Sequence, residues 1–466
     1  MTMGTLEVID PATEDVISTV ADATADDGCA AVDRAAGAFP SWADTPPRER
    51  SEILRTAHEL LLARTDQVAE TIVRENGKPI AEARAEVAYA AEFLRWFAEE
   101  AVRMDGGIVE APGGGGKIMT LLQPVGVSLL VTPWNFPAAM LTRKAGPALA
   151  AGCTVVAKPA ELTPLTALLI GEVFRDAGVP EGVFEAVTTS DPSGVVSAIL
   201  DDERVRKLSF TGSTEVGRIL LAKAAERIVN CSMELGGNAP FLVFADADID
   251  AAIDGAMLAK LRHNGETCTA ANRLYVEAPV AAEFADRLAK AMARLPVGPG
   301  LDPTTKLGPL IDADTRDKVE RLVQAGLDDG ARVLTGGRRP PDRPKGFFYE
   351  PTVLAGVRHG SAAVAEEIFG PFAPVITFDP SAGDDVVALA SDVEFGLVAY
   401  VYTSDIGRGL AVAERLETGM VAVNKGIVAD SAAPFGGTKQ SGLGREGGHE
   451  GLLAFCETKY VAVDWG

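Results

Sequence analysis

The sequence is sparing with three residue classes, and each shortage excludes a group of functions. There are five cysteines in 466 residues, Cys29, Cys153, Cys231, Cys268 and Cys456. An odd, scattered set without CxxC spacing excludes a disulfide framework and a zinc ribbon, and points to reduced thiols in a cytoplasmic setting. The four histidines, His58, His263, His359 and His449, stand far apart and form no HExxH pattern, so no metal site is expected. Basic residues are outnumbered, 43 against 66 acidic ones, for a net charge of −23. That balance argues against nucleic acid or an anionic membrane as partner and favours solubility. Long apolar runs are missing too. The stretch "PAAMLTRKAGPALAAGCTVVAKP" is interrupted by Arg143 and Lys144 and cannot span a bilayer. The opening "MTMGTLEVIDPATEDVISTV" lacks a basic run followed by an apolar one, so no secretion signal is expected. Any anionic ligand must be held by local donors, not by the overall field.

What is present is an ordinary globular composition, 47% hydrophobic and 23% charged, in a chain too long for one core. Helical periodicity runs from about Arg48 to Met104 and ends in the glycine-rich "MDGGIVEAPGGGGKIMT". The apolar runs "KIMTLLQP" and "VGVSLLVTP" then suggest a pair of strands. Beyond them strands alternate with helices: "CTVVAKP", "TPLTALLIGEVFRDAG" with Thr163 as cap, "GVFEAVT", "DPSGVVSAILDD", "VRKLSFTG" and "STEVGRILLAKAAE". Such alternation predicts an α/β fold with a parallel sheet. A second α/β segment is expected from about Ala239 to Val428. The apolar tail "FCETKYVAVDWG" is a strand seeking an edge, in this chain or in a second copy.

Five places carry chemistry. In "RHNGETCTAANR" Cys268 sits among polar residues that should bury poorly, as a nucleophilic thiol would and an incidental loop cysteine could. "SMELGGNAP" puts Glu234 before Gly236 and Gly237, which let the chain reverse and aim a carboxylate into a cleft as a base. "VTPWNFP" fixes the Asn135 carboxamide in a rigid turn, where it could donate to an oxyanion or satisfy its own loop. "SFTGSTEVG" brings Gly212 and Ser213 to a strand–helix junction suited to phosphate, although the spacing is not GxGxxG. "VVAKPAELTP" sets Lys158 and Glu161 at another strand end, where a carboxylate would accept from ribose hydroxyls and repel a 2′-phosphate. NAD is therefore expected ahead of NADP.

Taken in order, "PWNFP", "KPAE", "FTGST", "MELGGNAP", "GETCTAANR", "EEIFGP" and "PFGGTKQSGLGREGG" resemble the NAD(P)-dependent aldehyde dehydrogenase superfamily. "TRKAGPALAAGCTVV", "VRKLSFTGSTEVGR" and "SGLGREGG" are similar to its succinate-semialdehyde dehydrogenase branch. The resemblance implies a Rossmann-like coenzyme domain (1–105, 125–235 and 437–456), a catalytic domain (236–436) and a bridging sheet (106–124 and 457–466) that joins a homodimer or homotetramer. It implies oxidation of a small aldehyde through a cysteine thiohemiacetal and thioester. Cys268 would be the nucleophile, Glu234 the base, Asn135 the oxyanion donor, and Lys144 a further catalytic group. Trp134, Lys158, Glu161, Gly212, Ser213, Glu367 and Phe369 would hold the coenzyme. Arg143 and Arg262, with Ser431, would hold a substrate carboxylate. Rival readings are a neutral-aldehyde or CoA-acylating specificity, or a thiol esterase. Two departures count against the carboxylate pocket and the thiolate: Asp430 beside Ser431, and Glu266 two residues before Cys268. Ala270 removes a second cysteine seen in some members.

Overall fold

The computed structural model describes residues 4–463; the ends of the first predicted domain and of the bridging tail, 1–3 and 464–466, lie outside the described residues. Four helices, Ala25–Asp44, Pro47–Ala63, Thr65–Asn76 and Ile80–Ala101, precede the first large sheet. Their apolar stripes bury Leu54, Leu61, Val68, Ile72, Phe93 and Phe97 against the helix Ala139–Ala151.

Six strands form the first sheet, in the order Gly442–Leu443, Asn230–Glu234, Val205–Thr211, Val127–Val131, Thr154–Lys158 and Phe184–Ala186. The last five run parallel. Chain order reverses at Val127–Val131, which has Thr154–Lys158 on one side and Val205–Thr211 on the other. In open α/β sheets a crevice opens there, beyond the carboxyl ends of the strands. The loops leaving these strands carry Trp134–Asn135 and Gly212–Ser213. The second sheet has seven strands, with Ala239–Val243 and Ala271–Glu277 near its centre and Met420–Val423 at one edge. All its pairings are parallel except that of Arg332–Thr335 with Thr352–Ala355.

One pairing differs from expectation. Lys117–Pro124 and Val127–Val131 do not pair; Val125–Gly126 breaks between them and they enter different sheets. Lys117–Pro124 is the centre of a separate antiparallel sheet with Gly107–Glu110 and Cys456–Val463. Two adjacent apolar runs cannot say which edge each will find, because strand partners are set at long range. The terminal strand thus finds an edge within its own chain, and its other edge is free. No helix among the described residues is long and apolar enough to cross a membrane. Thr163 occupies the expected N-cap, but its side chain makes no cap bond. Glu75 instead reaches from the preceding helical layer to the backbone N–H groups of Leu165 (2.7 Å) and Thr166 (2.9 Å).

A buried ion pair fixes the entrance to the crevice. Lys78 pairs with Glu86, and both side chains are about 1% exposed. Glu86 also accepts from the N–H groups of Ala138 (2.9 Å) and Ala139 (3.3 Å), which start the helix Ala139–Ala151. Lys78 donates to the Asn135 carbonyl (2.8 Å) and lies over the Phe136 ring. A carboxylate at a helix N-terminus and an ammonium on a carbonyl are both satisfied, so the pair anchors the Asn135 turn. Lys78→Met should leave Glu86 charged, buried and unpaired, costing about 3–5 kcal/mol. A clearly lowered thermal midpoint is expected; an unchanged one would show that the pair is not a structural anchor.

Candidate active site

Between the two sheets lies a cleft of about 280 Å³, lined by Trp134, Asn135, Arg143, Gly212, Ser213, Arg262, Cys268, Glu367 and Phe369 among others. Nine of the predicted residues therefore meet in one place. Trp134 and Phe369 form one wall, ring edge against ring face at 5.4 Å. Phe369 holds a left-handed backbone (φ 55°), an uncommon conformation for an aromatic residue. Glu367 accepts from the Gly237 N–H at 3.1 Å, and burial raises its carboxyl to about 7.

The neighbours of Cys268 bury far better than their polarity suggests. His263, Asn264, Glu266, Thr267 and Thr269 are all 5% exposed or less, while Cys268 itself is partly exposed to the cleft. Backbone groups from another segment satisfy Asn264 and one oxygen of Glu266. Asn264 donates to the Pro309 carbonyl (2.8 Å) and accepts from the Gly308 N–H (2.7 Å). Glu266 accepts from the Ile311 N–H (2.9 Å). Glu266 thus points away from the sulfur, and burial holds its carboxyl well above the usual range. The objection raised by a carboxylate two residues from Cys268 falls away.

Glycines bring the two halves together, in a way the sequence suggested only loosely. Neither Gly236 nor Gly237 has positive φ, so neither makes a glycine-only reversal. Gly237 serves a close approach, since a Cβ there would lie 2.5 Å from the Cys268 carbonyl oxygen. The Asn135 amide donates one N–H to the Glu266 carbonyl (2.9 Å), which leaves its second N–H for the cleft.

Glu234 ends its strand, is 3% exposed and does not itself line the cleft, which its neighbours Leu235 and Gly236 do. Both its carboxylate oxygens lack a hydrogen-bond partner, a costly arrangement that stability alone would not retain. Burial, then the nearby Glu446, raise its pKa well above the ordinary value, against Arg143, Lys144 and Arg445. Beneath it Glu446 binds both cations of the helix Ala139–Ala151: Arg143 at 2.7 Å, and Lys144. Lys144, fully buried, also donates to Ser209 (3.0 Å) and does not line the cleft, which corrects its assignment as a catalytic group. Arg143 does line it, ion-paired to Glu446 and stacked over Phe435.

Three further residues fall elsewhere than expected. Lys158 and Glu161 form their own pair (2.8 Å) outside the cleft lining, at the end of the neighbouring strand. Ser431 does not line the cleft; Ala429 takes that position. Asp430 borders a separate depression and accepts from the Ala432 N–H (2.9 Å), so it does not oppose a carboxylate in the cleft. The cleft also contains Tyr89, Thr315 and Lys318, which sequence motifs did not single out. Tyr89 and Lys318 lie within regular helices, and nothing in helical periodicity separates such a residue from an ordinary packing or surface one.

Comparison with known proteins decides the family. Residues 1–461 match the aldehyde dehydrogenase family. The chain belongs to that family. It is 52% identical over 448 residues to a succinate-semialdehyde dehydrogenase of Paenarthrobacter nicotinovorans, covering 96% of this chain and 99% of the relative. An Escherichia coli succinate-semialdehyde dehydrogenase whose name specifies NADP(+) is 46% identical, over 98% of this chain and 94% of its own. The crystal structure of succinate-semialdehyde dehydrogenase from Burkholderia pseudomallei superposes with a TM-score of 0.96 at 47% identity, covering 99% and 95% of the two chains. This aldehyde dehydrogenase is succinate-semialdehyde dehydrogenase-like in sequence and fold.

Burial pushes the Cys268 thiol up to about 12, against the nearby cation Arg143. At neutral pH the resting enzyme therefore holds a thiol, and thiolate grows about tenfold for each pH unit below that value. Iodoacetamide labelling of Cys268, followed by intact mass, should accelerate in that way from about pH 7 to about pH 10. A plateau by about pH 8 would show that a stable thiolate exists at rest.

Proposed function

We propose that this enzyme oxidises a small ω-carboxy aldehyde, succinate semialdehyde or a close homologue, through a thioester on Cys268. The observation that carries the reading is the convergence of Cys268, the free N–H of Asn135 and the uncompensated Arg262 on one cleft. Among the described residues Arg262 has no carboxylate partner, and its guanidinium lies 5.5 Å from the Phe136 ring centroid. A cation left unpaired in a cleft is suited to an incoming carboxylate.

Cys268 adds to the aldehyde carbon as its proton leaves, and Asn135 donates to the oxygen that becomes an oxyanion. Glu234, with no hydrogen-bond partner to lower its basicity, takes the proton of the thiol and later of water. A nicotinamide coenzyme, held by the Trp134–Phe369 wall, Glu367 and the Ser213-capped helix, would supply the hydride acceptor. Water then releases the acid from the thioester. A thiol esterase would need neither Glu367 nor the Trp134–Phe369 wall, and Glu234 favours water over a thiol as acyl acceptor.

The cleft fits a nicotinamide coenzyme on its own geometry. Ser213 caps the twelve-residue helix Thr214–Ala225, whose N-terminus faces the cleft and suits a pyrophosphate. Beside it the Thr211 hydroxyl is buried without a partner. The expected ranking of NAD above NADP loses force on two counts. Lys158 partly neutralises Glu161 (2.8 Å), which weakens repulsion of a 2′-phosphate, and the E. coli relative carries NADP(+) in its name. The coenzyme is therefore assigned as NAD(P). The free edges of Cys456–Val463 and Met420–Val423, with Ile108, Val109 and Tyr460 more than half exposed, support a homo-oligomer joined edge to edge.

Glu234→Gln should slow hydrolysis and let an acyl adduct accumulate on Cys268, visible by intact mass after mixing with aldehyde and coenzyme. No adduct in that variant or the parent would remove the covalent route. Arg262→Ala should raise KM about tenfold more for ω-carboxy aldehydes than for neutral ones of equal length. Equal effects on both would remove the carboxylate assignment.

A further inference from the structure

We infer that the Tyr89 hydroxyl is a third recognition group for the substrate's distal carboxylate, donating to it alongside Arg262. The inference rests on the carboxylate reading above and assigns a role that the serine expected near position 431 does not fill.

Tyr89 lies on the helix Ile80–Ala101, and its side chain lines the cleft. Its hydroxyl is buried and its O–H meets no acceptor; the Arg143 guanidinium close by can only donate to the oxygen. Leaving a phenol O–H unpaired costs stability, and nothing in the surrounding packing requires the oxygen. The ring is held independently by Phe93, 4.7 Å away centroid to centroid and tilted by 59°. The hydroxyl is therefore fixed in place with its donor unused, as a group waiting for an acceptor would be.

Its electrostatic surroundings say which acceptor. Burial raises the phenol above its ordinary pKa, so it remains a donor at neutral pH, while Arg143 and Arg262 act on it as the leading cations. The same two arginines line the cleft with it. They are not equivalent. Glu446 pairs with Arg143 at 2.7 Å, which leaves Arg262 as the guanidinium without a carboxylate. A substrate carboxylate reaching Arg262 has further lone pairs to satisfy in a buried place. At the opposite loop Ala429 offers a methyl group and Asp430 faces elsewhere. The phenol is a neutral donor with both arginines acting on it. An anionic end group of the substrate, not an uncharged one, is what an O–H donor beside a free guanidinium selects.

The test is Tyr89→Phe, which removes the oxygen and keeps the ring against Phe93. Steady-state kinetics are run on succinate semialdehyde and on butanal for the parent, Tyr89→Phe and Arg262→Ala, with thermal midpoints measured alongside. In Tyr89→Phe the preference for the semialdehyde, as a ratio of kcat/KM values, should fall about tenfold, mostly through KM. An unchanged ratio in Tyr89→Phe, with a collapsed one in Arg262→Ala, would overturn the role of Tyr89 and leave the carboxylate pocket standing. Equal losses on both aldehydes would reduce Tyr89 to a shaping residue and also overturn it. A parent enzyme without preference for the semialdehyde would overturn the pocket itself, and Tyr89 with it.

Discussion

One hydrogen bond joins the two halves of this site. The Asn135 amide, carried by a loop of the first sheet, donates to the Glu266 carbonyl beside Cys268, just ahead of a strand of the second. Across that contact sit Cys268 and the Asn135 amide, the nucleophile and the oxyanion donor of the proposed mechanism. Its geometry has to be held to a fraction of an ångström for the donor to help. The molecule secures it from both sides. Lys78 and Glu86 fix the Asn135 turn from below, and Ile311 N–H holds the Glu266 side chain from above. Gly237 lets the third segment close in on the Cys268 carbonyl, where any Cβ would collide.

Much of the site was legible because it lies where local pattern and chemistry coincide. Strand–helix alternation predicts the parallel sheet, and the parallel sheet predicts that strand-end loops face the crevice, so Trp134, Asn135, Gly212 and Ser213 were found together. The polar setting of Cys268 was read correctly as unusual and wrongly as poorly buried. Asn264 and Glu266 pack at 1% exposure or less because Pro309, Gly308 and Ile311 supply partners from more than forty residues away, which no local window contains. The same limit hid the partner of Lys117–Pro124, which comes from the far end of the chain. It hid Glu446 as well, whose role depends on Arg143 and Lys144 some three hundred residues earlier.

Charge is the second constraint, and it explains why one arginine is not enough evidence for a carboxylate pocket. Arg143, Lys144, Glu234 and Glu446 form a buried group around the helix Ala139–Ala151. Lys144 and Arg143 hold Glu446 below its ordinary value against its burial, while burial and Glu446 raise Glu234 well above its own. Two carboxyls in one dry region cannot both hold charge cheaply, so the one touching the cations ionises and the other becomes the strong base. Lys144 therefore shapes the basicity of Glu234 without reaching the cleft. Arg143 is spent in the same balance.

That division of labour has a consequence for specificity. Had Glu446 been absent, Arg143 and Arg262 would offer two guanidinium groups, and a dianion would suit the cleft better than a monoanion. With Arg143 neutralised, Arg262 is the guanidinium left for a single carboxylate in the proposed reading. Against one carboxylate, a neutral donor adds a hydrogen bond without adding charge. The sequence of causes runs from Glu446 through Arg143 to Arg262, and ends at the unpartnered hydroxyl of Tyr89.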